Sequence, residues 1–318
     1  MDNILKYAAN EYGFGKDTLS FISESTNKIY SFEKNHKPYI LRITQKQPEA
    51  LNSTKAEIEW LYFLAQNGVN VSLPLFTLHN ELVTAITGTD GNNYILSAYE
   101  KANGVFWDKN NPALWNENVF IRWGETMGDI HRLTKEYKPS KQARRTEFTG
   151  DFALADSYKR NPEVKAAADE IVREIMMFPR DKESYGLIHN DFHPWNFLID
   201  GNVIHVFDFD DCLYGWFALD IGIALYHGLW WGRPKEDTQA FAKRFIKAFL
   251  KGYLLKNQIS TFWLKKIPLF MRYRQICKFS WFFDPDNVTK ENLIDIDNIK
   301  QGVLFDDCNV EIDYFLIR

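Results

Sequence analysis

The chain has little cysteine: Cys212, Cys277 and Cys308 in 318 residues. Three thiols so far apart give neither the paired spacing of a zinc site nor an even disulfide framework, which favours a reducing compartment. No apolar run reaches the length of a membrane span; the longest, around Ile221 to Trp231, is shorter and carries His227. The opening MDNILKYAANEYGFGKD lacks the basic-then-apolar pattern of a secretory signal. There is no excess of basic charge, the formal net charge being −4, so nothing points to a nucleic-acid surface. Internal repeats, coiled-coil heptads and low-complexity tracts are also missing. The expectation is a soluble cytoplasmic protein that engages neither nucleic acid nor membrane.

What the chain does have is length and aromatic residues. A chain of 318 residues suggests two lobes with ample core, and the 16% aromatic content is high. Helical spacing over Asn3–Tyr12 is followed by Gly13-Phe14-Gly15-Lys16. This resembles part of a phosphate loop, but the full spacing is missing and it precedes the first strand, so it reads as a helix stop. From Leu19 to Thr44 apolar residues alternate in strand fashion, forming an antiparallel meander of Leu19–Ser23, Asn27–Phe32 and Pro38–Ile43. The link Ser23–Asn27 places Ser25 and Asn27 where a turn can fold over phosphates; an ordinary exposed turn reads equally well. Arg42 is a lone cation on the third strand, with two readings open: a phosphate clamp or a solvent-facing side chain. Ser53–Asn67 reads as a helix capped by Asn52 or Ser53, with Glu57 and Glu59 as candidate partners for Arg42. Strands Leu82–Ala85 and Tyr94–Tyr99 follow. Composition turns helical after residue 100, which sets the expected boundary between domains 1–100 and 101–318.

The stretch from Leu187 to Gly215, LIHNDFHPWNFLIDGNVIHVFDFDDCLYG, concentrates polar groups in apolar surroundings. His189, Asp191 and Asn196 form the pattern H-x-D-x-x-x-x-N. Two β-prone runs around Asp200-Gly201 then read as a hairpin, which returns Asp208 toward Asn196. An amide oxygen and a carboxylate are hard ligands suited to Mg²⁺, which holds few protein ligands and leaves room for phosphates. Asp191 is left to accept or orient a hydroxyl proton, as in the kinase catalytic loop. Asp220, at the start of an apolar helix, can cap that helix and can also brace the loop's backbone. His131 reads as structural.

These residues resemble the aminoglycoside phosphotransferase and choline kinase family from about Phe21 to Gly228, most strongly at Ile188–Asn196, where His-Pro follows the Asp, and at Phe207-Asp208-Phe209-Asp210, where the glycine of D-F-G is absent. The resemblance implies an α+β, bilobal protein-kinase-like fold: a small antiparallel-sheet N-lobe with one main helix and a larger, mainly helical C-lobe. It implies Asp191 as catalytic base, Asn196 and Asp208 as Mg²⁺ ligands, Arg42 at the nucleotide-phosphate lysine with Glu57 as its helix partner, and Ser97 and Tyr99 at the adenine hinge. His189, Asp210 and Asp220 take supporting places. Arginine keeps the lysine's charge but is planar and forked.

The implied reaction moves the γ-phosphoryl group of ATP, with GTP also possible, to a hydroxyl of an amino sugar, amino alcohol or similar small molecule. Asp210, Asp211, Trp230-Trp231 and Trp281-Phe282-Phe283 suggest a cationic acceptor if they face the site, and core packing if they do not. A non-catalytic kinase-like binding protein is the alternative; a Ser/Thr protein kinase is disfavoured by the missing D-F-G glycine and A-P-E segment. Oligomeric state has no signature.

Overall fold

The computed structural model describes residues 1–140, 144–150, 162–232 and 238–282. It divides into two compact units. The first comprises Met1–Val105, Glu136–Thr146 and Phe197–Cys212; the second comprises Phe106–Lys135, Glu147–Asn196 and the chain from Leu213 onward. The sequence also reads as helical over Asn287–Ile294; that segment and the ring of Phe283 lie outside the described residues, as do the side chains of Trp281 and Phe282.

The first unit opens with helix α1 (Asp2–Tyr12), which Gly13 ends in the left-handed conformation at φ 69°, as the helix-stop reading expects. Strands β1 (Ser20–Glu24), β2 (Lys28–Lys34) and β3 (Lys37–Gln45) form the expected meander. Its second link turns at Asn35 and His36, both at positive φ, the demand of a tight two-residue hairpin. Helix α2 (Ala50–Gln66) follows, then β4 (Pro74–Leu75), β5 (Val83–Thr87) and β6 (Asn93–Glu100). The sheet runs β1-β2-β3-β6-β4, with β5 also paired to β6, and every pairing is antiparallel. Alternation along β3 separates two faces. Leu41 and Ile43 pack with Leu96, Ala98 and the α1 residues Ile4, Ala8 and Tyr12. Arg42 and Thr44 take the opposite face.

Two details differ from expectation. Helix α2 begins at Ala50 with no side-chain cap. The hydroxyl of Ser53, an expected cap, instead accepts from Arg145 at 3.1 Å. Arg145 belongs to the polar, basic stretch Lys138–Asp151, which by composition reads as a mobile loop, yet it is buried and also donates to the carbonyls of Cys212, at 2.7 Å, and Asp210. It therefore pins the segment after Asp208. That segment follows the hairpin of β7 (Phe197–Asp200) and β8 (Val203–Val206), which closes through Gly201 at φ 57° with Phe197 opposite Val206.

The second unit is mainly helical: α3 (Glu117–Thr134), α4 (Pro162–Met176), α5 (Phe217–Gly232), α6 (Thr238–Leu254) and α7 (Thr261–Phe282). Asn116 caps α3, accepting from the backbone of Asn118 at 2.9 Å and Val119 at 3.1 Å. Helices α3 and α6 touch backbone to backbone: a Cβ on Gly252 would stand 1.8 Å from the carbonyl oxygen of Ile121. Helix α5 is apolar around nearly its whole circumference and is buried accordingly. A two-stranded ladder, β9 (Tyr185–Ile188) with β10 (Leu213–Trp216), pairs Ile188 with Leu213 and fixes the chain just before His189. Among the described residues no helix is long and apolar enough to cross a membrane. Cys212 and Cys277 are free and buried.

Candidate active site

In the second unit, a tight turn runs from His189 to Asn196. Its backbone is held by Asp220, a fully buried residue of α5. The Asp220 carboxylate accepts from the N–H of His189 at 3.0 Å, the N–H of Asn190 at 2.8 Å and His131 Nε2 at 3.1 Å. Asn190 sits in the left-handed region at φ 64°, a conformation that costs a non-glycine residue free energy and persists only where surroundings impose it. A relay fixes the tautomer of His131. Asn257 Nδ2 donates to the Tyr253 hydroxyl at 2.9 Å, and that hydroxyl is 3.0 Å from His131 Nδ1. The hydroxyl therefore donates to Nδ1, and Nε2–H donates to Asp220. Burial keeps His131 neutral by lowering its pKa below the ordinary histidine value, outweighing Asp220.

Within the turn, His189 Nδ1 accepts from the N–H of Asp191 at 3.3 Å, and the N–H of His193 reaches the carbonyl of Asp191 at 2.8 Å. Asn196 Nδ2 donates to the carbonyl of Asp191 at 2.9 Å and to its Oδ2 at 3.1 Å. Two further groups meet the Asp191 carboxylate: His193 Nε2, 3.3 Å from Oδ2, and the Arg274 guanidinium of α7 on Oδ1. Burial works to raise the Asp191 pKa, but Arg274, His193 and Lys278 together outweigh it and hold the carboxyl well below the usual carboxylate range. Arg274 is itself oriented by His227, whose Nε2 accepts from Arg274 Nε at 2.9 Å. His227 is buried, and burial, reinforced by Arg274, holds it neutral. Its ring stacks on Trp231 at 4.4 Å. Trp230 stacks on Trp231 in turn, at 5.7 Å.

In the first unit, Arg42 on β3 is buried and not solvent-facing. Its Nη1 is 2.7 Å from Glu57 Oε1, and Glu57 is fully buried on α2. The contact is an ion pair more than an aligned hydrogen bond, because neither Glu57 oxygen has a hydrogen-bond partner. Glu59, the other candidate partner, accepts from Ser140 at 3.2 Å instead. Ser97, paired across the ladder from Arg42, accepts from Arg42 Nε at 3.2 Å and is 2.8 Å from the Tyr99 hydroxyl. Ser97 and Tyr99 thus stand inside β6 with their side chains turned to Arg42, whereas an adenine-facing hinge needs their backbone groups.

Asn27 is buried, while Ser25 is exposed at the hairpin turn. Thr44 donates to Asn27 Oδ1 at 2.5 Å, and Asn27 Nδ2 lies 3.5 Å from Asp210. Lys46 donates to Asp210 at 2.7 Å. The carboxylate expected to draw a cationic acceptor already holds a lysine. Burial works to raise its pKa; Arg42 and Lys46 prevail and lower it.

The sequence reading overlooked Lys46, Arg145, His193, His227 and Arg274. Lys46 had a signal: Arg42, Thr44 and Lys46 share a strand face by period two. Arg274 had none, because its partner Asp191 is distant in sequence.

Two residues suit a divalent cation. Asn196 commits its Nδ2 to Asp191, so Oδ1 is the atom it can offer. Asp208 is exposed and held at φ 63°, a strained conformation of the kind that collects at functional positions. A carboxylate and an amide oxygen match the preference of Mg²⁺ or Ca²⁺ for hard ligands.

A model of the phosphotransferase enzyme family matches residues 18–256. The chain belongs to this family. Over 280 residues it is 37% identical to the amicoumacin kinase of Bacillus subtilis (strain 168), a span of 86% of this chain and 82% of that protein. Its structure resembles that of an amicoumacin kinase solved with AMP-PNP, Ca²⁺ and Ami, with a TM-score of 0.90 and 28% identity over 100% of this chain and 97% of the other. A microcompartment-associated aminopropanol kinase shares the fold, with a TM-score of 0.76 at 18% identity over 96% of this chain and 95% of that one. The expected kinase-like α+β fold and family are borne out, and the protein is a phosphotransferase that uses a small-molecule hydroxyl as acceptor.

Proposed function

We propose that this phosphotransferase moves the γ-phosphoryl group of ATP, with Mg²⁺, to a hydroxyl of amicoumacin or a close analogue in the cytoplasm. The observation that carries this reading is the Asp191 carboxylate: ionised, fixed by Asn196, His193 and Arg274, and set on a turn braced by Asp220. The choice of acceptor rests on the 37% identity to the Bacillus kinase.

Asp191 accepts a hydrogen bond from the acceptor hydroxyl and aligns its oxygen for in-line attack. A carboxylate held so firmly ionised is a weak base, which suits a loose transition state in which the proton leaves late. Arg274 balances the charge on Asp191 and presents a cation to the phosphoryl oxygens as charge redistributes. Arg42, backed by Glu57 and steadied by Ser97 and Tyr99, meets the nucleotide phosphates together with the Ser25–Asn27 link. Asn196 Oδ1 and the Asp208 carboxylate would hold the metal. When bound, Mg²⁺ neutralises the β- and γ-phosphates.

The test is transfer of labelled phosphate from ATP or GTP to amicoumacin. Asp191→Asn is expected to lower kcat by about 10²–10⁴-fold, the range for losing a proton-accepting group, while nucleotide affinity changes little. Near-normal turnover in that variant would remove Asp191 from the role. No labelled amicoumacin from the wild type, with another hydroxyl compound labelled, would replace the acceptor.

A further inference from the structure

The residues between Asp191 and Asn196 include one that neither braces the turn nor touches the carboxylate. Of the 3₁₀ turn Pro194–Asn196, Pro194 and Asn196 are buried, whereas Trp195 is 48% exposed. Phe106 lies against it with ring centroids 5.7 Å apart, and is also 48% exposed. Single exposed apolar side chains are ordinary, but two large aromatic rings side by side in water form a patch that calls for a reason.

The patch has a firm backing. Trp107 meets Trp195 at 5.3 Å and Trp115 at 4.9 Å, and Trp115 contacts Trp123 at 6.4 Å. All three backing rings are buried. Trp115 Nε1 donates to the carbonyl of Gly232 at 2.9 Å, which fixes its plane. The Trp107 indole N–H, in contrast, is buried without a hydrogen-bond partner among the described residues. Such a donor usually finds an acceptor, and it belongs to the ring that meets Trp195 edge-on. Two outer rings backed by a buried cluster of mutually inclined indoles have few conformations to lose when a ligand settles on them.

The charges on the turn also bear on the occupant. Arg274, His193 and Lys278 all act on Asp191, two residues before His193 and four before Trp195. A ring face alone would also welcome a cation. The Asp191 carboxylate on this turn is already paired with Arg274, so it offers a cationic acceptor little, and a neutral group fits better.

We propose that Phe106 and Trp195 form the acceptor shelf of this phosphotransferase, and that they select acceptors carrying a neutral, planar unsaturated ring close to the reacting hydroxyl. This rests on the reading of Asp191 as the group that orients that hydroxyl. Trp195 lies on the turn that carries Asp191, four residues further along, so an acceptor whose hydroxyl meets Asp191 comes to the turn on which this ring is exposed. The shelf thereby separates flat acceptors from saturated polyols and from quaternary ammonium alcohols.

The test is a ligand-observed NMR titration of the full chain, saturated with AMP-PNP and Mg²⁺, using 2-phenylethanol, 2-cyclohexylethanol and choline. The two neutral alcohols differ little in apolar area but only one is flat. The phenyl compound is expected to bind about three- to tenfold more tightly than the cyclohexyl compound, the range set by aromatic pairing beyond area burial. That preference should vanish in W195A and in F106A and survive in W195F, which keeps a ring. Equal affinity for the two alcohols, tighter binding of choline, or binding of the phenyl alcohol that is seen without AMP-PNP and lost on saturation with it would each overturn the shelf. Phosphate transfer to amicoumacin is read separately in the same protein variants, with labelled ATP in place of AMP-PNP. Transfer without ring preference refutes the shelf and leaves the kinase reading standing; ring preference without transfer to any hydroxyl refutes its assignment to the acceptor.

Discussion

Asp220 offers the sharpest quantitative test, because every partner of its carboxylate is identified and none is exposed. Two charge-assisted bonds come from the backbone of His189 and Asn190, and a third from His131. Asp220→Asn keeps the shape but leaves one oxygen. The better amide orientation puts that oxygen at the Oδ2 position, where it still receives His189 and His131. The amide NH₂ then faces the N–H of Asn190, donor against donor. The cost is one buried unsatisfied donor, about 1–3 kcal/mol, plus the loss of charge assistance on two bonds, about 1 kcal/mol each. The sum is about 3–5 kcal/mol, a large part of the roughly 5–15 kcal/mol that stabilises an ordinary domain. Much of it should appear locally, because Asn190 is held at φ 64° by this contact. Amide hydrogen exchange read at His189 and Asn190 is therefore the assay of choice. Protection there should drop about a hundredfold or more, at roughly tenfold per 1.4 kcal/mol, and kcat should fall as Asp191 loses its placement. Exchange within threefold of wild type at both amides, with kcat unchanged, would show that the carboxylate does not hold the turn.

Other perturbations reach separate parts of the molecule. Arg42→Met leaves Glu57 buried without its counter-charge and should destabilise the protein by about 3–5 kcal/mol in urea unfolding; adding Glu57→Met should recover part of that loss, and a double variant worse than the single one would refute the pairing. His131, His193 and His227 are all held below the ordinary histidine pKa by burial, so the folded chain stays neutral where the unfolded chain binds protons. Stability should accordingly be full above pH ~6.5 and decline below it, by at most about 1.4 kcal/mol per pH unit for each histidine. The lowered carboxyls of Asp191 and Asp210 add a second decline once the pH falls below the ordinary carboxylate range, near 4. Urea midpoints that stay level from pH 7 to 5 would contradict the neutral-histidine assignment.

Much of the backbone was legible because local rules and tertiary demands agree. The β7–β8 hairpin follows from Asp-Gly between β-prone runs, and the end of α1 follows from Gly13. The elements that escaped notice have no local signature. Strand β4 has two residues, and β9 finds its partner β10 a helical turn and a hairpin later in the chain, so neither is announced by a nearby turn. The start of α2 was misjudged for a related reason: Ser53 is a good capping residue by type, but Arg145 claims its hydroxyl from far along the chain. Propensity reports what a residue can do, and a distant partner decides which of those options is taken.

The same division runs through the candidate site. Spacing brought out Asp191, Asn196 and Asp208, because H-x-D-x-x-x-x-N and the following hairpin are short-range patterns. Helical position alone left Glu57 and Glu59 equal as partners for Arg42, and the family resemblance chose Glu57; the geometry separates them, one fully buried against the guanidinium and the other bonded to Ser140. Arg274 could not be anticipated, since a cation in a long helix rich in aromatic residues reads as an ordinary amphipathic side chain until the helix is docked. Yet Arg274 changes the chemistry most. Without it, burial would be opposed by His193 and Lys278 alone, and the Asp191 carboxyl would move up, toward the proton-accepting base that the motif alone suggests. With it, Asp191 becomes a fixed negative acceptor, better suited to aligning a hydroxyl than to removing its proton. The motif identifies the residue; a helix more than eighty positions away sets what kind of group it is.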